Sequence, residues 1–256
     1  MKLALIPPLG FERYFALSDG VQMGLCVNSC INSPWYIRAL TERAEAGDYV
    51  IMDNGAAEGD RCGNRDLRST AKLVKAREVI LPDVIGNRGR TLSDMATYIK
   101  FHLDASKNYM AVIQGQDPDD LKKFVHDVAD RHVQTLGIPR DLIKPGRLQS
   151  IRIDLANWID DEFPGRFQIH LLGTNSAWIE EIRAAAKYAP HIRSVDTSAP
   201  FVYANRNLFL GDMHAKTIKS VRRPLNYLDP GYVMMYPPLV DRNIQVMKQW
   251  AQGTDA

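Results

Sequence analysis

The sequence predicts a single (β/α)8 barrel spanning residues 1–256, and three observations carry that expectation. A chain of 256 residues with 45% apolar side chains has the usual size of one α/β barrel and enough apolar surface for a full core. Short apolar runs ending in small or acidic residues recur between longer amphipathic stretches, the rhythm of βα units around a parallel sheet. Seven such runs are visible, which favours a closed barrel over an open sheet.

In chain order the expected strands are Leu25–Asn28, Tyr49–Asp53, Glu78–Asp83, Met110–Gln114, Thr135–Pro139, Gln168–Leu172 and Arg193–Asp196. An eighth is required by closure and is expected after Pro200. Helical periodicity appears over Pro34–Ala46, Thr91–Leu103, Pro118–His132, Ser176–Tyr188 and Asp241–Gln252, each opening near a Ser, Thr, Asp or Pro signal. The tail after Trp250 is expected to fray. No stretch is rich enough in Pro, Gly or Ser to mark a domain boundary.

Charge and cysteine content narrow the function classes. With 32 basic against 30 acidic residues the net charge is only +2, so contact with nucleic acid has to come from a local basic surface. Cys26, Cys30 and Cys62 are an odd set without a secretory leader, which points to a reducing cytoplasm rather than a disulfide framework. Their spacing is poor for a metal, and none is assigned. No apolar run approaches the roughly 20 residues a bilayer span needs, so no membrane partner is expected.

A barrel of this kind builds its site at the carboxyl ends of the strands. Those ends read Met52-Asp53-Asn54-Gly55, Leu81-Pro82-Asp83, Ile113-Gln114-Gly115, Gly137-Ile138-Pro139, His170-Leu171-Leu172-Gly173 and Val195-Asp196-Thr197-Ser198. An aspartate closing a single strand is as often a helix cap, and Gln114-Gly115 alone reads as an ordinary turn. His170 beside two leucines reads first as a satisfied interior histidine. Three aspartates at one mouth are less easily explained that way. Carboxylates crowded into a partly desolvated pocket cannot all ionise freely, so their pKa values split into nucleophilic and proton-holding roles. A purine complements them: guanine N1–H and its exocyclic amine donate to a carboxylate such as Asp83, and O6 accepts from an amide such as Gln114. A further aspartate near the sugar can attack C1′, as the nucleophile of a retaining glycosidase does.

The order of these motifs resembles the tRNA-guanine transglycosylase family over roughly residues 49–206. Met52-Asp53-Asn54-Gly55 is similar to its Asp-Ser-Gly-Gly segment, Leu81-Pro82-Asp83 to its base-recognition aspartate and Val112-Ile113-Gln114-Gly115 to its Val-Gln-Gly segment. Ile169-His170-Leu171-Leu172-Gly173, then a helix, then Ser194-Val195-Asp196-Thr197-Ser198-Ala199-Pro200 looks like its His-Leu-(Leu/Met)-Gly block followed by the nucleophile segment. The resemblance implies Asp196 as nucleophile and Asp53 as general acid/base. It implies a base pocket of Asp83, Gln114, Gly115, Gly137, His170 and Gly173, net retention at C1′, and no organic cofactor.

Two departures shape the substrate expectation. Ala56-Ala57-Glu58 stands where the family usually has an aromatic residue after the glycines, and no cysteine follows Cys62, so the zinc site of the tRNA enzymes, three cysteines and a histidine beyond the nucleophile, is not expected here. A compact zinc-less chain resembles the branch, found with phage and island-encoded systems, that inserts 7-deazaguanine derivatives into DNA. DNA is therefore the expected polymer, with tRNA the alternative, a 7-deazaguanine base the small-molecule substrate, and a homodimer left open. Phosphate contacts are expected from Arg88, Arg90, Arg147, Arg152, Arg206, Lys216, Lys219, Arg222 and Arg223. Resolution of the glycosyl intermediate by water, as in a nucleoside hydrolase or DNA glycosylase, remains a second reaction class, and a silent nucleic-acid-binding subunit a third. The presence of both Asp53 and Asp196 weighs against the third.

Overall fold

The computed structural model describes residues 1–58, 62–140, 142, 150–174, 181–212, 227–229, 231–234 and 236–254. Eight parallel strands form its core: β1 (Lys2–Leu5), β2 (Val21–Leu25), β3 (Tyr49–Asp53), β4 (Glu78–Ile80), β5 (Asn108–Val112), β6 (Thr135–Pro139), β7 (Gln168–Leu172) and β8 (Ile192–Thr197). They are hydrogen-bonded in the order β1-β8-β7-β6-β5-β4-β3-β2, and β1 lies beside β2 to complete a (β/α)8 barrel. Around it run α1 (Asn28–Ile31), α2 (Pro34–Glu45), α3 (Asn64–Leu73), α4 (Arg88–His102), α5 (Pro118–Val128), α6 (Ile151–Glu162), α7 (Glu181–Tyr188), α8 (Ala199–Ala204) and α9 (Pro237–Ala251). None of the described helices is long and apolar enough to cross a membrane.

The local chemistry explains where these elements begin. The Ser33 hydroxyl accepts from the Tyr36 amide with Pro34 in the first turn of α2, the Asn87 side chain accepts from the Arg90 amide ahead of α4, and Asp117 accepts from the Asp120 amide ahead of Pro118 in α5. The strands are buried on both faces, as parallel barrel strands must be; β2 and β5 are mostly apolar, whereas β8 buries Ser194, Asp196 and Thr197 among its apolar residues.

Several expectations need correcting. The eighth strand is not after Pro200 but at the start of the chain, where Lys2 pairs in register with Ser194 and Leu5 with Thr197. The apolar stretch after Ser198 is instead α8, buried on every side. The first expected strand lies earlier, at Val21–Leu25, and those expected to reach Asp83 and Gln114 end at Ile80 and Val112. The expected helix start at Ser176 lies outside the described residues. Beyond Trp250 the chain does not fray within the described residues: α9 continues to Ala251, and the Gly253 and Thr254 amides bond back to Trp250 and Gln249.

Candidate active site

The register of the barrel brings the acidic residues to one end. Asp53 closes β3, Asp196 is the penultimate residue of β8, Asp83 lies three residues past β4, and Gln114 two past β5. Asp53 is partly exposed, whereas Asp83, Gln114 and Asp196 are each 5% exposed. Burial, then the negative charges of Asp83 and Asp196, push the Asp53 carboxyl up to about 7, against the pull of the Gly55 and Asn54 backbone amides. A carboxyl at that value is divided between acid and base near neutrality, the condition for a group that must both give and take a proton.

Asp83 sits in a fitted cradle. One oxygen accepts from the Asn54 side-chain amide at 2.8 Å and the other from Gln114 Nε2 at 2.7 Å. Asn54 also donates to the Leu81 carbonyl and accepts from the Ala56 amide, while Gln114 Oε1 accepts from the Gly86 amide at 2.8 Å. The Gln114 carbonyl is thereby occupied, leaving its second amide hydrogen as the group able to meet an acceptor. Asn54 was absent from the sequence-based set, although it stands next to Asp53 in the quoted motif.

Asp196 is held from β7. Its Oδ1 accepts from the Gly173 amide at 2.9 Å and lies 3.0 Å from His170 Nε2. His170 is fully buried and its Nδ1 is 2.8 Å from Ser194 Oγ, so it touches the nucleophile candidate rather than the open mouth. Burial pushes His170 below its ordinary value despite the neighbouring carboxylate, which keeps the ring neutral. Ser194, Asp196 and His170 share the interior face. Residues two apart on β8 must do so, a signal that periodicity alone carried.

The glycines serve closer packing. A Cβ at Gly115 would stand 3.0 Å from the Leu121 amide nitrogen, so this glycine lets the end of β5 approach the first turn of α5. At Gly137 the space is filled by Leu172 and Met110 side chains, 2.8 and 2.9 Å from where a Cβ would be. Gly173 adopts φ +67, the left-handed conformation that aims its amide at Asp196.

The basic residues divide. Arg152, expected at a phosphate, is 1% exposed and pairs with the equally buried Glu181 at 2.8 Å, also donating to the Gly173 and Ile138 carbonyls. It ties α6 to α7 beneath the β7 turn and cannot reach a polymer. Arg88 is held between Asp120 and Asp127 of the neighbouring α5, and Arg90 pairs with Asp94 on the surface of α4. Arg206 is exposed just after α8. Arg147, Lys216, Lys219, Arg222 and Arg223 lie outside the described residues.

No protein-family model and no curated sequence matches this chain. Solved structures do match. An HpcH/HpaI aldolase from Desulfitobacterium hafniense is 11% identical over 77% of this chain and 85% of its own, with TM-score 0.51. A tryptophan synthase from M. tuberculosis is 10% identical over 99% of this chain and 92% of its own, with TM-score 0.52. A fructose-1,6-biphosphate aldolase, so described provisionally, from Coccidioides immitis is 11% identical over 98% and 88%, with TM-score 0.52. At such identities the likeness shows the barrel fold, common among enzymes, and nothing about the reaction.

Proposed function

We propose that this chain is a base-exchange transglycosylase that replaces guanine in DNA by a 7-deazaguanine derivative. The observation that carries the proposal is the division of labour among three aspartates at one barrel mouth: Asp53 poised near 7, Asp196 tethered through one oxygen, and Asp83 cradled by two amides. In this reading an oxygen of Asp196 bonds to C1′ as the C1′–N9 bond breaks, and the electron pair leaves on guanine N9, which takes the proton of Asp53. The incoming base returns a proton to Asp53, and its N9 displaces the aspartate from the opposite face, so two inversions give retention. Asp83 accepts from N1–H and the exocyclic amine, and the second Gln114 amide hydrogen is available to O6.

DNA is preferred over tRNA because residues 63–256 contain no cysteine, so this stretch carries none of the three cysteine ligands of the tRNA enzymes' zinc module. A duplex guanine must be unstacked to reach this mouth, at a cost of a few kcal/mol. The test is incorporation of labelled guanine into duplex DNA and, in parallel, unmodified tRNA. Label in DNA that vanishes with Asp196→Ala is the expected result. Label in tRNA alone overturns the choice of polymer, and release of free base without incorporation replaces exchange by hydrolysis.

A further inference from the structure

A hydrogen-bonded chain runs through the barrel interior from its floor to the mouth. At the floor, Arg193 pairs with the fully buried Glu78 at 2.7 Å and donates to Gln168 Oε1 at 2.7 Å, while Tyr49 donates to Glu78 at 2.6 Å. The Arg193 Nε donates to Ser194 Oγ at 3.1 Å, Ser194 Oγ meets His170 Nδ1 at 2.8 Å, and His170 Nε2 meets Asp196 Oδ1 at 3.0 Å. Arginine stays protonated, so this chain conducts no proton. It fixes directions instead. An unprotonated Nε2 would set its lone pair against a carboxylate oxygen, so Nε2 carries the hydrogen. The neutral ring then presents a bare Nδ1, which accepts the Ser194 hydroxyl hydrogen, and Ser194 takes the Arg193 hydrogen on its own lone pair.

We infer that His170 is the positioning residue of Asp196: with the Gly173 amide it ties down Oδ1, so that Oδ2 is the atom that bonds to C1′. Both bonds to Asp196 fall on Oδ1, and Oδ2 receives none from any described residue. A carboxylate held this way cannot rotate to exchange its oxygens without breaking two hydrogen bonds, and the attacking lone pair keeps one bearing. Buried imidazoles orient reacting groups in this way elsewhere, the hydrogen bond at one ring nitrogen fixing which nitrogen carries the proton. The catalytic consequence rests on the base-exchange reading; the tautomer does not.

The two parts are separated by two measurements. Nitrogen-15 NMR of histidine-labelled protein reads His170 directly. A neutral ring protonated at Nε2, holding through neutral pH while Asp53 titrates beside Asp196, is expected. An Nδ1–H ring or an imidazolium facing Asp196, Arg193 and Glu78 overturns the inference. Kinetics then read the consequence. His170→Leu should lower kcat roughly 10- to 100-fold with KM little changed, the effect of removing one hydrogen bond to a charged group. His170→Gln, which retains a donor near Nε2, should restore most of it. Because the site is buried, Ser194→Ala provides a milder second variant, expected to lower kcat a few-fold by freeing Nδ1. Unchanged kcat in a folded His170→Leu protein overturns the positioning role alone. Absence of exchange by the wild-type protein overturns the base-exchange reading, and the kinetic consequence falls with it.

Discussion

Replacing Asp53 by asparagine should stabilise the protein, and by an amount that grows with pH. The Asp53 carboxyl moves from its ordinary 3.8 to about 7 on folding because it loses most of its water beside the carboxylates of Asp83 and Asp196. Below about pH 4 it is protonated in both folded and unfolded chains and contributes nothing to the pH dependence. As pH rises from about 4 to 7, the unfolded chain releases the proton while the folded one keeps it, so stability falls. Above about 7 both are ionised, and the folded state carries the full penalty. At about 1.4 kcal/mol per pH unit the difference corresponds to roughly 4 kcal/mol, an upper bound because Asp53 keeps partial exposure. Asparagine removes the charge and retains an oxygen for the Gly55 and Asn54 amides. The assay is urea unfolding of both proteins between about pH 4 and 8. The stability of Asp53→Asn minus wild type should rise across that range by up to about 4 kcal/mol while exchange activity is lost. A difference that is flat or falls with pH would refute the argument that the acidic mouth is held against its own repulsion.

Three further outcomes follow from the geometry. Glu181→Ala leaves the buried Arg152 without its countercharge and should cost about 3–5 kcal/mol, whereas the Arg152→Met, Glu181→Leu pair should recover most of that; equal losses in denaturant unfolding would contradict it. Gly173→Ala forces a side chain into φ +67 with its Cβ 3.3 Å from Arg140 Cδ, so it should cost about 1–2 kcal/mol and also lower kcat by disturbing the amide that holds Asp196, checked by thermal unfolding and steady-state rates. Asp83→Asn removes a negative neighbour, so the Asp53 pKa falls and the corresponding limb of the pH–rate profile moves to lower pH, with relaxed base selectivity; an immobile limb counts against the coupling.

What the sequence made legible was what local pattern encodes. Tyr49–Asp53, Thr135–Pro139 and Gln168–Leu172 have the boundaries their apolar runs suggested, and Pro34 and Pro118 marked helix starts. The strand at Lys2–Leu5 was missed because four residues followed by Pro7-Pro8 carry no period, and only pairing with β8 makes them a strand. Ala199–Ala204, rich in aromatic and branched residues, suited a strand by composition, but all six residues are buried in a helix with Pro200 in its first turn. α1, α3 and α6 went unremarked. At the site, the aspartates were visible as strand-end letters, and their crowding suggested a displaced carboxyl, which Asp53 is. Which partner held each one was not visible, since Asn54 to Asp83 and His170 to Asp196 span 29 and 26 residues. Arg152 shows the converse failure: a charged residue in a polar-looking stretch was read as surface, and only the distant Glu181 explains its burial.

The pairing of β1 with β8 also sets an order on synthesis. Residues Lys2–Leu5 leave the ribosome ahead of the other seven strands, yet their hydrogen-bonding partner ends at Thr197, some 190 residues later. At about 5–20 residues per second, β1 waits roughly 10–40 s for its neighbour. During that interval an apolar segment with an open edge is available to bind another nascent chain. The barrel cannot seal from its beginning. Whatever β2 to β7 assemble first is an unclosed sheet, and the earliest-made strand is among the last to lock in place.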